Sequence, residues 1–313
     1  MSWLRRWNDF WFQPGHSFDL AFIRLVLVGL QCFVLLSYSF PALTYALSLP
    51  EYLYEPRIVT RLLMPWAAHT MLDSSVVLGM FWIAFLFGLT SFLGLFTNFS
   101  LLVFAFLNIL LQAFIYSFGD VHHPEAVMML ALVALALSPS GRVLSIDAWW
   151  RARRQRDPAQ LIPLLDHMTQ YARWPIVFLQ CFFPLMYLSA VVSKLTKGGF
   201  DWANGISLQY YMILEAHKND SALALYVSQF HYLLKFAEYI VLTFQATFFL
   251  ILFFPRLKWI YLPLGIIFHT VIYVTLRAPF PQWIAMYIVY IPWALAFTWL
   301  AQKKVSDSAQ LSP

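Results

Sequence analysis

The chain has 313 residues, of which 61% are apolar and 11% charged, with a formal charge of +5. Soluble domains run nearer ~45–50% apolar and ~25% charged. This composition therefore leaves too little polar surface to face water, and it excludes a soluble enzyme, a nucleic-acid-binding domain and a disordered chain. It fits a polytopic membrane protein, in which lipid meets the outer surface and cytoplasmic flanks carry the basic excess.

In chain order, residues 1–17 read as an interfacial amphipathic helix, with Arg5 and Arg6 set among Trp3, Trp7, Phe10 and Trp11. The apolar run behind it is too long for the core of a cleavable signal, so it reads as a retained span. A bilayer core about 30 Å thick needs about 20 apolar residues of helix. On that ruler eight spans follow, at 18–38, 76–96, 99–118, 125–138, 175–195, 233–254, 257–277 and 280–301. The fourth is short: either a full span extended into its flanks or a partly buried helix. Segments 39–74 and 196–232 mix aromatics, prolines and charges and read as outer caps. Segment 139–174 is basic, carries Trp149, Trp150 and Trp174, and reads as an inner interfacial linker within an 18–301 transmembrane domain. Residues 302–313 read as a loose polar tail.

The predicted fold is thus all-α, a transmembrane helical bundle of about eight spans. With both termini cytoplasmic, the inner segments hold twelve Lys and Arg against five in the outer loops, and that bias selects this orientation. Cys32 and Cys181 lie in apolar stretches and read as small buried residues rather than a disulfide. CxxC, Walker A, HExxH, GxSxG and GxGxxG patterns are absent from the sequence.

Ionisable groups at membrane depth are costly, so they mark candidate sites. Arg24, in the first span, reads as snorkelling or as a pair with a neighbouring helix. Lys194 ends the fifth span and shares a face with Tyr187 and Ala190. It either snorkels outward or is a partly desolvated amine; burial penalises an ammonium, and a neutral amine can act as a base. His122 and His123 open the fourth span in the run Asp120–Glu125. Adjacent histidines do not chelate from one helix, so no metal site is expected; a hydrogen-bonding role and a capping cluster both remain open. His269 lies eight residues, about 12 Å, below the outer end of the seventh span. It is either a site residue or an interhelix bond. Lys235 and Glu238 are spaced to pair with each other. All but Arg24 fall in the outer half, which motivates an outward-opening polar pocket.

The stretch Tyr187–Leu195, followed by Asp201, Trp202 and Gly205, resembles a motif of the HTTM family, which includes the membrane region of vitamin K-dependent gamma-carboxylase. Leu144–Asp147 behind a histidine-bearing turn, the opening helix Phe18–Arg24, and Phe268–His269 add to the likeness. The resemblance implies that Lys194 is the base that deprotonates a reduced quinone of vitamin K or menaquinone type before dioxygen attacks. It also implies that His123 is the functional histidine, with His122 as its neighbour. His269 joins the catalytic candidates, while Tyr187, Asp201, Trp202 and Glu238 join His122 as candidate substrate contacts. The family's paired lysines are Ser193 and Lys194 here, and the spacer to Asp201 is longer. In size the chain is similar to the short, SdpB-like bacterial members, which help mature a secreted peptide toxin. That likeness implies a bacterial inner-membrane protein. Its expected partners are lipids and a secreted peptide or small accessory protein. Two readings stay open: a quinol-dependent oxidase/epoxidase or peptide-modifying enzyme whose lysine base opens to the outer side, and a non-catalytic factor for maturation of, or immunity to, a secreted peptide. A transporter ranks third, because no inverted repeat is visible.

Overall fold

The computed structural model describes residues 3–67, 71–119, 124–155 and 164–310. Over these the chain is all-α, apart from one antiparallel ribbon that pairs Gly15–His16 with Met168–Thr169. Six helices are long and apolar enough to cross a membrane: Ser17–Ser48, Ser74–Leu93, Thr97–Tyr116, Arg173–Ala203, His231–Leu252 and Pro255–Leu276. Pro281–Tyr290 and Trp293–Lys303 make a seventh if taken together.

Several boundaries differ from the sequence expectation, each for a local reason. The N-terminal helix stops at Phe12 rather than 17, because Pro14 follows and Gly15 enters the ribbon. The first span runs ten residues past 38. A π-helical stretch, Leu35–Ser39, shifts the hydrogen-bond register so that Pro41 falls in the first turn of Phe40–Ser48, where its missing N–H costs nothing. The fourth apolar helix, Pro124–Ala136, has 13 residues. It rises about 20 Å, short of a bilayer core. The last apolar stretch is interrupted at Ile291 and Pro292, since proline supplies no N–H and disfavours helix in the residue before it. The final helix continues to Gln310, so the expected loose tail is largely helical.

The described residues fall into two compact units, 1–178 with 291–313 and 179–290. In the first, Leu20, Ile23 and Leu27 of the opening helix belong to a core with Phe81, Phe104 and Leu132, while Phe33, Trp82, Leu86 and Phe106 face outward. Gly88 allows the close approach: a Cβ there would lie 2.7 Å from the Cys32 sulfur and 2.8 Å from the Phe104 ring. Several polar groups in this core are paired. Gln31 donates to Asn108 at 2.9 Å, and Asp19 accepts the Ala294 N–H at the start of the last helix at 2.6 Å. Arg24 is fully buried and donates to the Leu144 carbonyl at 2.5 Å, so it does not snorkel. Both cysteines are free, Cys32 buried and Cys181 half-buried.

Candidate functional site

The residues of interest in the second unit lie on three helices: Arg173–Gly198 (the lysine helix), His231–Thr247 (the glutamine helix) and Lys258–Leu276 (the histidine helix). Pro184 sits inside the lysine helix and cannot bond the Gln180 carbonyl one turn back. Tyr290 replaces the missing donor, its hydroxyl reaching that carbonyl at 2.9 Å, and the Gln180 amide donates to the Val289 carbonyl at 2.6 Å. The break in the ladder is therefore stitched to the 287–290 turn.

One turn beyond Pro184, Tyr187 points inward and is only 1% exposed. Its hydroxyl lies 2.8 Å from His269 Nε2 and 2.6 Å from the Tyr287 hydroxyl. Gly265, one turn before His269, makes this possible. A Cβ there would stand 2.0 Å from the Tyr287 oxygen, so no other residue leaves the hydroxyl its place. Aromatic rings enclose the trio: Phe248 and Trp283 lie 4.8 and 4.9 Å from the Tyr187 ring, with Phe183 and Phe244 beside them. His269 Nδ1 and Trp283 Nε1 are buried with no hydrogen-bond partner among the described residues. A hydroxyl can both donate and accept, so Tyr287, Tyr187 and His269 form a chain along which a proton can be handed.

Two turns further along the lysine helix, about 10 Å, Lys194 is half-buried. Its ammonium donates to Gln245 Oε1 at 2.9 Å and lies 5.2 Å from the centre of the Trp202 ring. No carboxylate partners it among the described residues. The predicted shared face of Tyr187 and Lys194 is met by consecutive residues of the glutamine helix, with Phe244 against Tyr187 and Gln245 against Lys194.

The turn after the lysine helix positions Trp202. Gly205 adopts φ +96°, and a Cβ there would lie 2.8 Å from the His231 ring, so glycine is needed for both conformation and space. Glu238, fully buried, accepts the N–H groups of Gly205 at 2.5 Å and Leu208 at 2.6 Å. It caps the helix Ile206–Asn219 from a neighbouring helix, where an anion at the N-terminus is favoured. Its carboxylate oxygens therefore serve backbone amides rather than pairing with Lys235. Asp201 is exposed, and its carbonyl closes the turn onto Asn204.

The structure thus brings together Tyr187 and His269, and separately Lys194 and Trp202. It does not bring Lys194 into hydrogen-bond contact with His269. His122 and His123 lie outside the described residues. Among the described residues no cluster of three His, Cys, Asp or Glu could hold a metal. Sequence reasoning missed Gln245, Tyr287, Trp283 and Gly265. Gln245 carried a readable signal, a polar residue mid-span seven after Glu238 and so on the same face. Tyr287 carried none, being one of 16 tyrosines in an aromatic-rich chain. No protein-family model, curated protein or solved structure matches this chain.

Proposed function

We propose that the protein is a quinol-dependent membrane enzyme of HTTM type, with both termini cytoplasmic, about eight apolar segments in the bilayer, and Lys194 as an outward-opening base. One observation carries this reading. A half-buried amine lies among apolar helices with a neutral amide as its hydrogen-bond partner and an aromatic face beside it. No carboxylate among the described residues offsets the cost of charging that amine, and a lysine, unlike an arginine, can give up its proton and then take one from a substrate. A reduced quinone suits such a site because it reaches the amine through lipid and carries an acidic hydroxyl. In the proposed reaction Lys194 takes that proton, and quinol plus dioxygen yields quinone epoxide and water. The oxyanion made on the way is the strong base that would act on a peptide. Tyr187, Tyr287 and His269 pass or hold a proton nearby, and His123 orients the substrate. Trp202 flanks the amine, while Glu238 and Asp201 keep the Trp202 turn in place. The test is incubation of membranes holding the protein with reduced menaquinone or vitamin K under air. Epoxide from the wild type and none from Lys194→Ala is the expected result. No epoxide from either, or equal amounts from both, contradicts the reading.

A second reading, a non-catalytic factor that binds a secreted peptide, is favoured by a different observation. The segment from Phe200 to Tyr232 leaves Phe200, Tyr210, Tyr211, Tyr226 and Tyr232 exposed, and aromatic residues are enriched in binding surfaces. In that case Lys194→Ala leaves peptide crosslinking to this segment intact, with no covalent change in the peptide.

A further inference from the structure

At one end of the first unit's helices a cleft of about 420 Å³ opens, lined by Asn98, Ser138, Arg142, Asp147 and Arg151, with Leu137 on its rim. Its polar groups divide into those already satisfied and those left over. Asn98 donates to the carbonyls of Ala136 and Ser138, and so closes the C-terminal end of the Pro124–Ala136 helix. Asp147 accepts from the Phe96 N–H, the Thr97 N–H and the Thr97 hydroxyl. It caps the Thr97–Tyr116 helix and has little capacity left for a cation. Arg151 donates to the Gly141 carbonyl at 2.5 Å. Arg142 is exposed and makes no side-chain hydrogen bond among the described residues.

The charge does not balance. Arg142 and Arg151 are close enough to repel, and both Arg151 and the buried Arg24 feel the Asp147 carboxylate. Two arginines thus line the cleft with a single carboxylate, which the buried Arg24 also feels, so positive charge outnumbers negative there. Arg24 is fully buried, and two of its nitrogens have no partner among the described residues.

The setting is apolar on one side. Leu137 is 66% and Phe96 64% exposed beside the cleft, and Trp149 and Trp150 project from the amphipathic helix Ile146–Gln155. The cleft lies where Ser74–Leu93 ends and Thr97–Tyr116 begins, which is the level of the headgroups if those helices span. Guanidinium groups recognise phosphate by paired, charge-assisted hydrogen bonds.

We propose that this cleft is a binding site for a phosphate-bearing anion, presented by the headgroup of an anionic phospholipid whose chains lie against the Leu137 and Phe96 side. The inference is independent of the role of Lys194.

The test uses the full chain in detergent, titrated with phosphatidylglycerol or phosphatidylcholine and observed by native mass spectrometry. One phosphatidylglycerol should be retained in preference. Arg142→Ala should weaken retention about tenfold, the loss of one charge-assisted bond. Arg153→Ala should leave it unchanged, because Arg153 lies over the Trp149 ring, 4.1 Å from its centre, and does not line the cleft. Free glycerol phosphate at the same concentration should not displace the lipid. Equal retention of the two lipids, or equal loss in the two arginine variants, overturns the site. Displacement by free glycerol phosphate overturns the lipid as its source. Because Arg142 is exposed and unbonded, its loss does not threaten the fold, and an unchanged melting temperature verifies this.

Discussion

At the scale of single residues, the second unit divides its polar groups into two kinds. Glu238 and the Tyr187 hydroxyl are fully engaged, one on backbone amides and one on His269 and Tyr287. The Lys194 amine is held by a single neutral amide. Gly265 follows from the same packing. Gly265→Ala puts a methyl where the Tyr287 hydroxyl now stands, so it should destabilise the protein by about 1–3 kcal/mol. A drop in detergent melting temperature measures this; an unchanged value means the tyrosine pair can move aside freely. Lys194 and His269 were legible in the sequence because ionisable groups within apolar runs stand out against lipid. Glu238 stood out equally, yet its nearest charged neighbour in sequence, Lys235, misled. The two amides that bind it lie some thirty residues away, beyond the reach of local spacing.

At the scale of elements, broken ladders and helix ends are served by side chains from elsewhere in the same unit. Tyr290→Phe leaves the Gln180 carbonyl, already deprived of its donor by Pro184, without a partner. It should cost about 1–3 kcal/mol, the penalty of an unsatisfied buried acceptor, read as a lower melting temperature. Asp147 offers a pH test outside the spans. Burial pushes its carboxyl up, but the Thr97 and Phe96 hydrogen bonds and nearby Arg151 together outweigh that and hold it below the ordinary value of 3.8. A carboxyl lowered on folding stabilises fully above its unfolded value and loses that contribution as pH falls through the folded one. Asp147→Asn should therefore be less stable than the wild type near neutrality, and the gap should close as pH drops below about 4. A gap that persists into acid contradicts the assignment. Helix positions were legible from apolar run length. The π-helical continuation of the first span and the interruption at Pro292 were not, because each depends on how the freed backbone groups are accommodated.

At the scale of the whole molecule, composition alone set the class, and six apolar helices of spanning length agree with it. The number of crossings is harder to read, since a 13-residue helix and an interrupted one both carry enough apolar residues to look like spans. The proposed orientation rests on charge bias and predicts that a cysteine at 194 in a cysteine-free background reacts with an impermeant thiol reagent only from outside. Labelling only from the cytoplasm reverses the topology. The central claim is that the amine at 194 removes a proton, and Lys194→Arg tests it most directly. A guanidinium keeps a cation beside Gln245 and Trp202 but stays protonated, so it cannot serve as a base. The measurement is quinone epoxide formed by membranes carrying the wild type or this variant at matched protein level. The account predicts product from the wild type and none from Lys194→Arg; full product from the arginine variant contradicts it.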